Sequence, residues 1–353
     1  MDRGKVPGGT ETGKSLNHKG MFIVEDYSLA VVFCIITMFC WGSWGNTQKL
    51  AGKTWRYELF YWDYVIGILL LSLIFAFTLG SSGDAGRPFM EDLRQADSNS
   101  IMSAFFGGII FNAANILLST AIAIAGMSVA FPVGIGIALV LGVIVNYVGS
   151  AKGNPALLFA GVAMITAAII INSIAYKRAS SGEQKVSSKG LVVSIIAGIL
   201  MSFFYRFIAS AMDLDNFKDP APGLMTPYTA VVVFSFGIFV SNFIFNTILL
   251  KRPISGQPTS YSEYFKGSFG THMVGVLGGL IWGVGNSFNL IAAGKAGAAV
   301  SYGLGQGATL VAALWGVFVW KEFKNTQKGV SGLLAIMFVL FLAGIVTIII
   351  AGQ

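Results

Sequence analysis

The sequence predicts an all-α integral membrane protein with ten transmembrane helices, and three observations support this fold class. Of the 353 residues, 55% are hydrophobic and 11% are charged, whereas a soluble domain has about a quarter of its residues charged. Ten apolar segments reach the roughly twenty residues that cross a bilayer as a helix. The Lys and Arg residues lie mainly in the short connections between these segments, as in multi-pass membrane proteins.

The ten apolar segments follow one another closely along the chain. They lie near residues 28–49, 57–80, 101–124, 127–149, 155–176, 189–212, 226–250, 270–293, 297–320 and 329–350. We divide the chain into a polar N-terminal tail and two five-helix repeats joined by a cytoplasmic linker. The corresponding ranges are 1–27 for the tail, 28–176 for the first repeat, 177–188 for the linker and 189–353 for the second repeat.

The distribution of basic residues predicts how the chain is oriented. The loops after the first, fifth, seventh and ninth spans contain thirteen Lys and Arg residues, and the loops on the other side contain five. Because basic residues collect in cytoplasmic loops, both termini are expected outside, although four basic residues in the tail reduce the excess. We expect a multi-pass protein of the plasma (inner) membrane. Its partners are the lipid bilayer and a solute, and we expect no binding to nucleic acid.

An internal repeat relates the two halves of the chain. Residues 107–142 align with residues 278–313 at a constant shift of 171, without a gap and with eight identities. One of these identities pairs the intramembrane Asn115 with Asn286. The third span leaves the outside and the eighth leaves the cytoplasm, so the two copies are inverted. Two inverted five-helix repeats are typical of alternating-access carriers, whose binding site lies near the midplane between the repeats.

Short segments of the chain resemble known transporters. Residues 40–46 (CWGSWGN) resemble the end of the first span in the drug/metabolite transporter superfamily. Residues 278–286 and 295–322 are similar to its glucose/ribose and rhamnose porters, and residues 61–64 (YWDY) resemble the plant ureide permeases. The resemblance implies a ten-helix fold and a small polar solute, a sugar or a ureide or nucleobase, often moved with protons. The plant permeases have a long segment between the halves that is short here, which favours the sugar porters.

Five amide side chains inside the spans are candidates for the solute site: Asn112, Asn115, Asn286, Asn289 and Gln306. A polar side chain in hydrocarbon is costly unless it has a partner, so these amides should face the bundle interior or a wet cavity. The alternative is that they hydrogen-bond one helix to another. Each Asn pair is spaced i, i+3 and lies on one helix face. The symmetric placement of the pairs favours a shared central cavity.

Aromatic and charged residues complete the candidate site. Rings with polar tips suit a sugar or a flat ureide, although each ring could instead pack in the core or lie in the interfacial belt. These further candidates for solute binding are Trp41, Trp44, Asn46, Phe131, Tyr205, Arg206, Trp282 and Tyr302. For Arg206 the alternative is snorkelling toward the outer surface. Asp63, a rare charge inside a span, is the candidate for proton coupling. Its alternative is an interfacial role beside Arg56 and Glu58.

These observations predict a secondary active transporter that works by alternating access. The favoured solute is a small neutral polar molecule, a monosaccharide in the first place, with coupling to protons as an option. A ureide or nucleobase permease of the same fold is the alternative, and a non-transporting membrane scaffold or sensor is the alternative from another class. Neither His18 nor His272 belongs to a catalytic or metal-ligand constellation, so we expect no enzymatic activity and no cofactor. A homodimer is a further option.

Overall fold

The computed structural model describes residues 20–51, 55–125, 127–179, 187–253, 257–321, 323 and 329–353. Most of these residues are helical, and β-type pairing among them is limited to isolated bridges. The helices are α1 (Tyr27–Ser43), α2 (Gly45–Leu50), α3 (Tyr57–Phe77), α4 (Phe89–Gln95), α5 (Ser98–Ala125), α6 (Met127–Gly149), α7 (Pro155–Ala179), α8 (Ser188–Ser210), α9 (Pro227–Lys251), α10 (Tyr261–Phe265), α11 (Phe269–Ala296), α12 (Ala298–Gly305), α13 (Ala308–Leu314), a π-helical turn (Trp315–Val319) and α14 (Val330–Ala351).

In the described part of the chain, ten helical segments are long and apolar enough to cross a membrane, which confirms the predicted all-α ten-span fold. The first span consists of α1 and α2, and the ninth consists of α12, α13 and the π-helical turn. The other spans are single helices: α3, α5, α6, α7, α8, α9, α11 and α14. The short α4 and α10 lie in the connections after the second and seventh spans.

Local sequence signals fix where several spans begin and end. The side chain of Asp26 accepts a hydrogen bond from the backbone of Leu29 and caps α1, and Ser268 caps α11 in the same way. Gly297 separates α11 from α12 with a φ of 82°, a left-handed value that favours glycine. The eighth and ninth spans therefore form a tight hairpin, because α11 ends at Ala296 and α12 begins at Ala298.

Close helix packing follows the same pattern in both halves. The third span, α5, packs against α8 and α9, and the eighth span, α11, packs against α1 and α3. Gly108 on α5 and Gly279 on α11 occupy equivalent positions at the shift of 171. A Cβ atom on Gly108 would collide with the carbonyl oxygen of Phe234, and one on Gly279 with that of Tyr64. Small residues allow such close approach. The inverted repeat stays a prediction, and these contacts agree with it.

The segment before α1 packs onto the same end of the bundle as the connection after α3. Gly20 and Met21 pair with Gly83 and Ala85, and Met21 is almost fully buried. The last residues assigned to the polar tail are thus part of the folded structure. Of the predicted linker 177–188, α7 and α8 take up the two ends, and the part at 180–186 lies outside the described residues.

The predicted orientation can be tested by labelling single cysteines in intact cells. Cys34 and Cys40 are the only cysteines, so replacing both leaves a background without thiols. In that background we expect an impermeant thiol reagent to label Asp219→Cys, between α8 and α9, and to reach Ser260→Cys, between α9 and α11, only after permeabilisation. The reverse labelling pattern would invert the orientation and leave the fold unchanged.

Candidate functional site

A cavity of about 830 Å³ lies at one end of the bundle between helices of both halves. Its wall combines the ends of α1, α2, α3, α5, α6 and α7 with those of α9, α13 and the π-helical turn. This end carries the connections after the first, fifth, seventh and ninth spans, which the distribution of basic residues assigns to the cytoplasm. The cavity is within the size range of pockets that bind small molecules.

The polar lining of the cavity is mostly neutral. Amide and hydroxyl side chains contribute from several helices, namely Asn46, Gln48, Tyr57, Asn115, Ser119, Thr120, Asn172, Ser173, Tyr176 and Thr309. Charged side chains of the lining are Lys49, Arg56 and Glu58, which lie at the ends of α2 and α3. Arg56 pairs with Glu58 at 2.7 Å. A neutral interior with paired charge at the mouth suits a neutral polar solute.

A cluster of aromatic rings packs at the inner end of the cavity; we call it the aromatic floor and define it as Trp41, Trp44, Tyr64, Phe111 and Trp282. Trp41 and Trp44 line the cavity. The rings of Trp41 and Trp282 are stacked, with centroids 6.0 Å apart and planes 11° from parallel. Trp44 contacts Tyr64 at 4.5 Å, and Phe111 contacts Trp282 at 4.5 Å. Four helices, α1, α3, α5 and α11, therefore meet through these rings.

Tyr61 connects the two amides of α5. Its hydroxyl donates to Oδ1 of Asn112 at 2.9 Å and accepts from Nδ2 of Asn115 at 3.1 Å. Asn112 also donates to the hydroxyl of Ser241 at 2.9 Å. Asn112 thus hydrogen-bonds α5 to α3 and α9, which is the alternative role that the sequence left open. Asn115 lines the cavity one turn nearer its mouth.

The amides of α11 lie away from the cavity lining. Nδ2 of Asn289 donates to the carbonyl of Ser301 at 2.8 Å, and the hydroxyl of Tyr205 donates to the carbonyl of Asn289 at 3.4 Å. Asn286 is 1% exposed, and neither of its amide atoms has a hydrogen-bond partner among the described residues. The structure therefore does not bring Asn115 and Asn286 to the surface of one open cavity.

The remaining candidates occupy different places. Asn46 lines the cavity and accepts a hydrogen bond from the indole of Trp320 at 2.6 Å. Tyr302 is buried, and its hydroxyl donates to the carbonyl of Ala138 at 3.0 Å, which joins α12 to α6. Gln306 follows α12 and is also buried.

Arg206 and Phe131 stand apart from this group. The guanidinium of Arg206 lies against Gly149 at the opposite end of the bundle and does not line the cavity. The side chain of Phe131 lies outside the described residues.

Several residues around the cavity were missed by the sequence analysis. Tyr57, Tyr61 and Tyr64 follow one another at i, i+4 and i+7 on α3, a spacing that places polar-tipped rings on one helix face. Asn172 of α7 is an intramembrane amide, the same signal that selected Asn115. Trp315 lines the cavity and is the first residue of the π-helical turn, and such turns occur frequently at functional sites.

Asp63 lies outside the cavity lining, in a separate buried cluster on the same end of the bundle. Its Oδ1 accepts from the hydroxyl of Tyr264 at 2.6 Å and contacts Nδ1 of His272 at 2.8 Å. Burial, together with the adjacent carboxylate, raises the pKa of Tyr264, so its hydroxyl stays protonated and donates a hydrogen bond to Asp63. Trp55 packs edge-on against His272. In the described part of the chain, no group of three or more His, Cys, Asp and Glu side chains could hold a metal ion.

The opposite end of the bundle is closed by contacts between the connections. Arg87 pairs with Asp92 at 3.0 Å and donates to the carbonyl of Leu224 at 2.7 Å. Asp92 in turn accepts from the backbone of Thr226 at 2.7 Å. These bonds tie the connection after the second span to the connection after the sixth. The residues that line the cavity lie toward the other end of the bundle, while these bonds join the two halves at this end.

Comparisons with known proteins agree with this architecture. The sequence profile of the ureide permease family matches residues 60–189 and 173–352, which together exceed half of the chain. Ureide permease 1 of Arabidopsis thaliana is 26% identical over 381 residues, covering 92% of this chain and 97% of the relative. Ureide permease 2 of the same plant is 25% identical over 390 residues, with the same coverage.

More distant matches extend the comparison. A protein named "Putative sugar uptake protein", from Streptococcus pyogenes serotype M6, is 23% identical and covers 90% of this chain and 98% of its own. One solved crystal structure shares the fold, with a TM-score of 0.58 and 16% identity over 91% of this chain and 96% of the other.

The ten spans and the named relatives define the class of protein: a multi-pass membrane transporter of small solutes. The profile match shows more narrowly that the chain belongs to the ureide permease family. Its homologues are named permeases and not enzymes.

Removing the Tyr61 hydroxyl tests the hydrogen bonds that position the α5 amides. We expect Tyr61→Phe to leave Oδ1 of Asn112 buried with one partner fewer and to lower stability by about 1–3 kcal/mol. Thermal unfolding of the purified protein measures this loss. Tyr57→Phe is the matched control because its hydroxyl accepts from Ser119 at the cavity wall and holds no buried amide. Equal melting of Tyr61→Phe and the parent would contradict this role.

Proposed function

We propose that the protein is a secondary active carrier that moves a small neutral solute of the ureide or nucleobase type by alternating access. The observation that carries this proposal is the cavity between the two halves, accessible from one side and closed on the other by the contacts of Arg87 and Asp92. A channel needs a continuous path, and a scaffold needs no cavity. A carrier requires this arrangement in each of its two end states.

The chemistry of the lining supports a solute with both donors and acceptors. Each amide of the lining, such as Asn115 or Asn172, offers N–H groups and a carbonyl oxygen. A ureide or nucleobase carries N–H and C=O groups along the edge of a flat ring. Trp41, which stacks on Trp282, lines the same cavity as these amides, and an indole suits the face of such a ring.

A monosaccharide is the second candidate solute. It is the solute that the sequence analysis favoured, and hydroxyl groups also pair with amides. The named relatives shift the preference, because the plant proteins of higher identity are called ureide permeases and the sugar uptake name belongs to a more distant match. The short segment between α7 and α8, which pointed to the sugar porters, does not separate this chain from the ureide permease family.

We further propose that the Asp63 cluster couples transport to protons. A buried carboxylate in a span is costly, and its ion-pair partner is a histidine, whose charge depends on protonation. The cluster joins α3, α10 and α11 beside the cavity without lining it. A proton there can change how these helices pack without touching the solute. We also propose that the carrier lies in the plasma membrane, and the distribution of basic residues favours both termini outside.

Uptake into proteoliposomes tests the solute class. We expect labelled allantoin, a ureide, and uracil, a nucleobase, to be taken up and to compete with each other, and glucose to compete weakly. Asn115→Ala should raise the half-saturating concentration about tenfold, since one hydrogen bond is worth roughly 1 kcal/mol and an unpaired partner costs more. Asn146→Ala is the control, because this buried amide bonds to its own helix outside the cavity. Strong glucose uptake without allantoin uptake would show that the solute is a monosaccharide and that the ureide proposal is wrong.

Exchange and accumulation can be separated to test Asp63. We expect Asp63→Asn to abolish accumulation driven by a pH gradient while solute-for-solute exchange continues, because exchange requires no net proton movement. Glu263→Gln is the control, since this carboxylate of α10 is exposed and bonds to Lys266. Equal loss of both activities would assign Asp63 a structural role, and unchanged pH-driven accumulation would remove it from the coupling mechanism.

A further inference from the structure

Trp41 lines the cavity and packs against α11 and α12. Its ring fills the space beside two glycines: a Cβ on Gly285 would lie 2.8 Å from Cδ1 of the ring, and one on Gly305 would lie 2.8 Å from Cζ3. The same Cβ on Gly305 would lie 3.0 Å from Nδ2 of Asn289. The indole thus reaches both α11 and α12, and Nδ2 of Asn289 lies beside the same glycine of α12, while Trp41 also lines the cavity.

Behind this ring lies a group of buried polar atoms without partners. Trp282, Asn286 and Asn289 share one face of α11 because they are spaced i, i+4 and i+7. Both amide atoms of Asn286, Oδ1 of Asn289 and Nε1 of Trp41 are buried, and none has a hydrogen-bond partner among the described residues. Buried polar groups are normally paired, so such a concentration of unpaired donors and acceptors needs an explanation.

Helix-to-helix bonding does not supply that explanation. Asn112, which bonds three helices together, has a partner for each of its amide atoms. Asn286 has the same side chain and similar burial but no partner. Two donors and two acceptors in this region therefore lack a hydrogen-bond partner among the described residues, and a polar molecule of the same bonding capacity would satisfy them.

We propose that Asn286 and Asn289 form a second station for the solute, sealed from the open cavity by Trp41, and that Asn115 forms the first station on the cavity side. The two stations occupy equivalent positions of the two repeats. In the state described here, Asn115 is reached from the cavity and Asn286 is closed off. In the opposite state the accessibilities exchange. The ligand is a neutral solute that both donates and accepts hydrogen bonds.

This inference rests on the proposed carrier function, and it adds that the solute passes Trp41 between two amides. An indole can rotate about χ1 and χ2 without disturbing the helix that carries it. Its ring stacks on Trp282 when it closes the path. The solute then moves along the rings of Trp41 and Trp282, which stay in contact with the face of the solute.

Thiol accessibility tests the seal without any ligand. In a background lacking Cys34 and Cys40, we expect a small permeant thiol reagent to modify Asn115→Cys at least tenfold faster than Asn286→Cys. Adding Trp41→Ala should raise the rate at the position of Asn286 to within a few-fold of that at Asn115. Equal rates with Trp41 intact, or a slow Asn286→Cys that Trp41→Ala does not accelerate, would overturn the proposal.

Thermal unfolding with and without millimolar allantoin tests the station itself. Asn286→Leu should melt higher than the parent, because an unpaired buried amide is replaced by an apolar side chain of similar volume. It should also lose the rise in melting temperature that allantoin gives the parent. Asn112→Leu is the matched control and should melt lower, because it leaves the partners of that amide unpaired. If allantoin raises the melting temperature of Asn286→Leu as much as that of the parent, the proposal of a second station is wrong.

The two experiments separate this inference from the solute assignment. If allantoin does not raise the melting temperature of the parent protein, the ureide proposal fails. The thiol rates and the sign of the melting-temperature change for Asn286→Leu then still test whether Asn286 and Asn289 form a second station. If allantoin shifts both the parent and Asn286→Leu, the solute proposal stands and the second station is wrong.

Discussion

A polar side chain inside the hydrocarbon layer must find its partners within the helix bundle, and the centre of this protein is arranged around that requirement. Tyr61, Asn112 and Ser241 satisfy one another across α3, α5 and α9. Asp63 is satisfied by Tyr264 and His272, where α10 meets α3 and α11. These bonds hold helices of the two halves in fixed relation, so the cavity has a defined shape.

The cavity exists because the helices approach closely elsewhere. Gly108 and Gly279 bring α5 and α11 against carbonyl groups of their neighbours, where no larger side chain fits. Larger rings then collect at the aromatic floor, where four helices meet. Tight packing at the glycines and rings at the floor leave the amides of α2, α5 and α7 facing open space on one side. Contacts of Arg87 and Asp92 close the other side.

Family membership and cavity chemistry give complementary information about the solute. The relatives with the higher identities are named ureide permeases, and a more distant one carries a sugar uptake name. Neutral amides and indoles suit a flat ring that carries N–H and C=O groups. The same amides can also hydrogen-bond to the hydroxyl groups of a sugar. Asn115 lines the cavity, whereas Asn286 is buried on α11 without a hydrogen-bond partner among the described residues.

The sequence by itself determined the ten spans, because span length and apolarity follow from bilayer thickness and need no tertiary contact. It also selected as candidates Trp41, Trp44, Asn46 and Asn115, which line the cavity, since an amide or indole inside a span is rare. Only the tertiary structure decided which amides have partners. The roles of Asn112 and Asn286 differ although their residue type and burial are alike. That difference depends on neighbours from distant parts of the chain, such as Tyr61 and Ser241, which helix periodicity does not reveal.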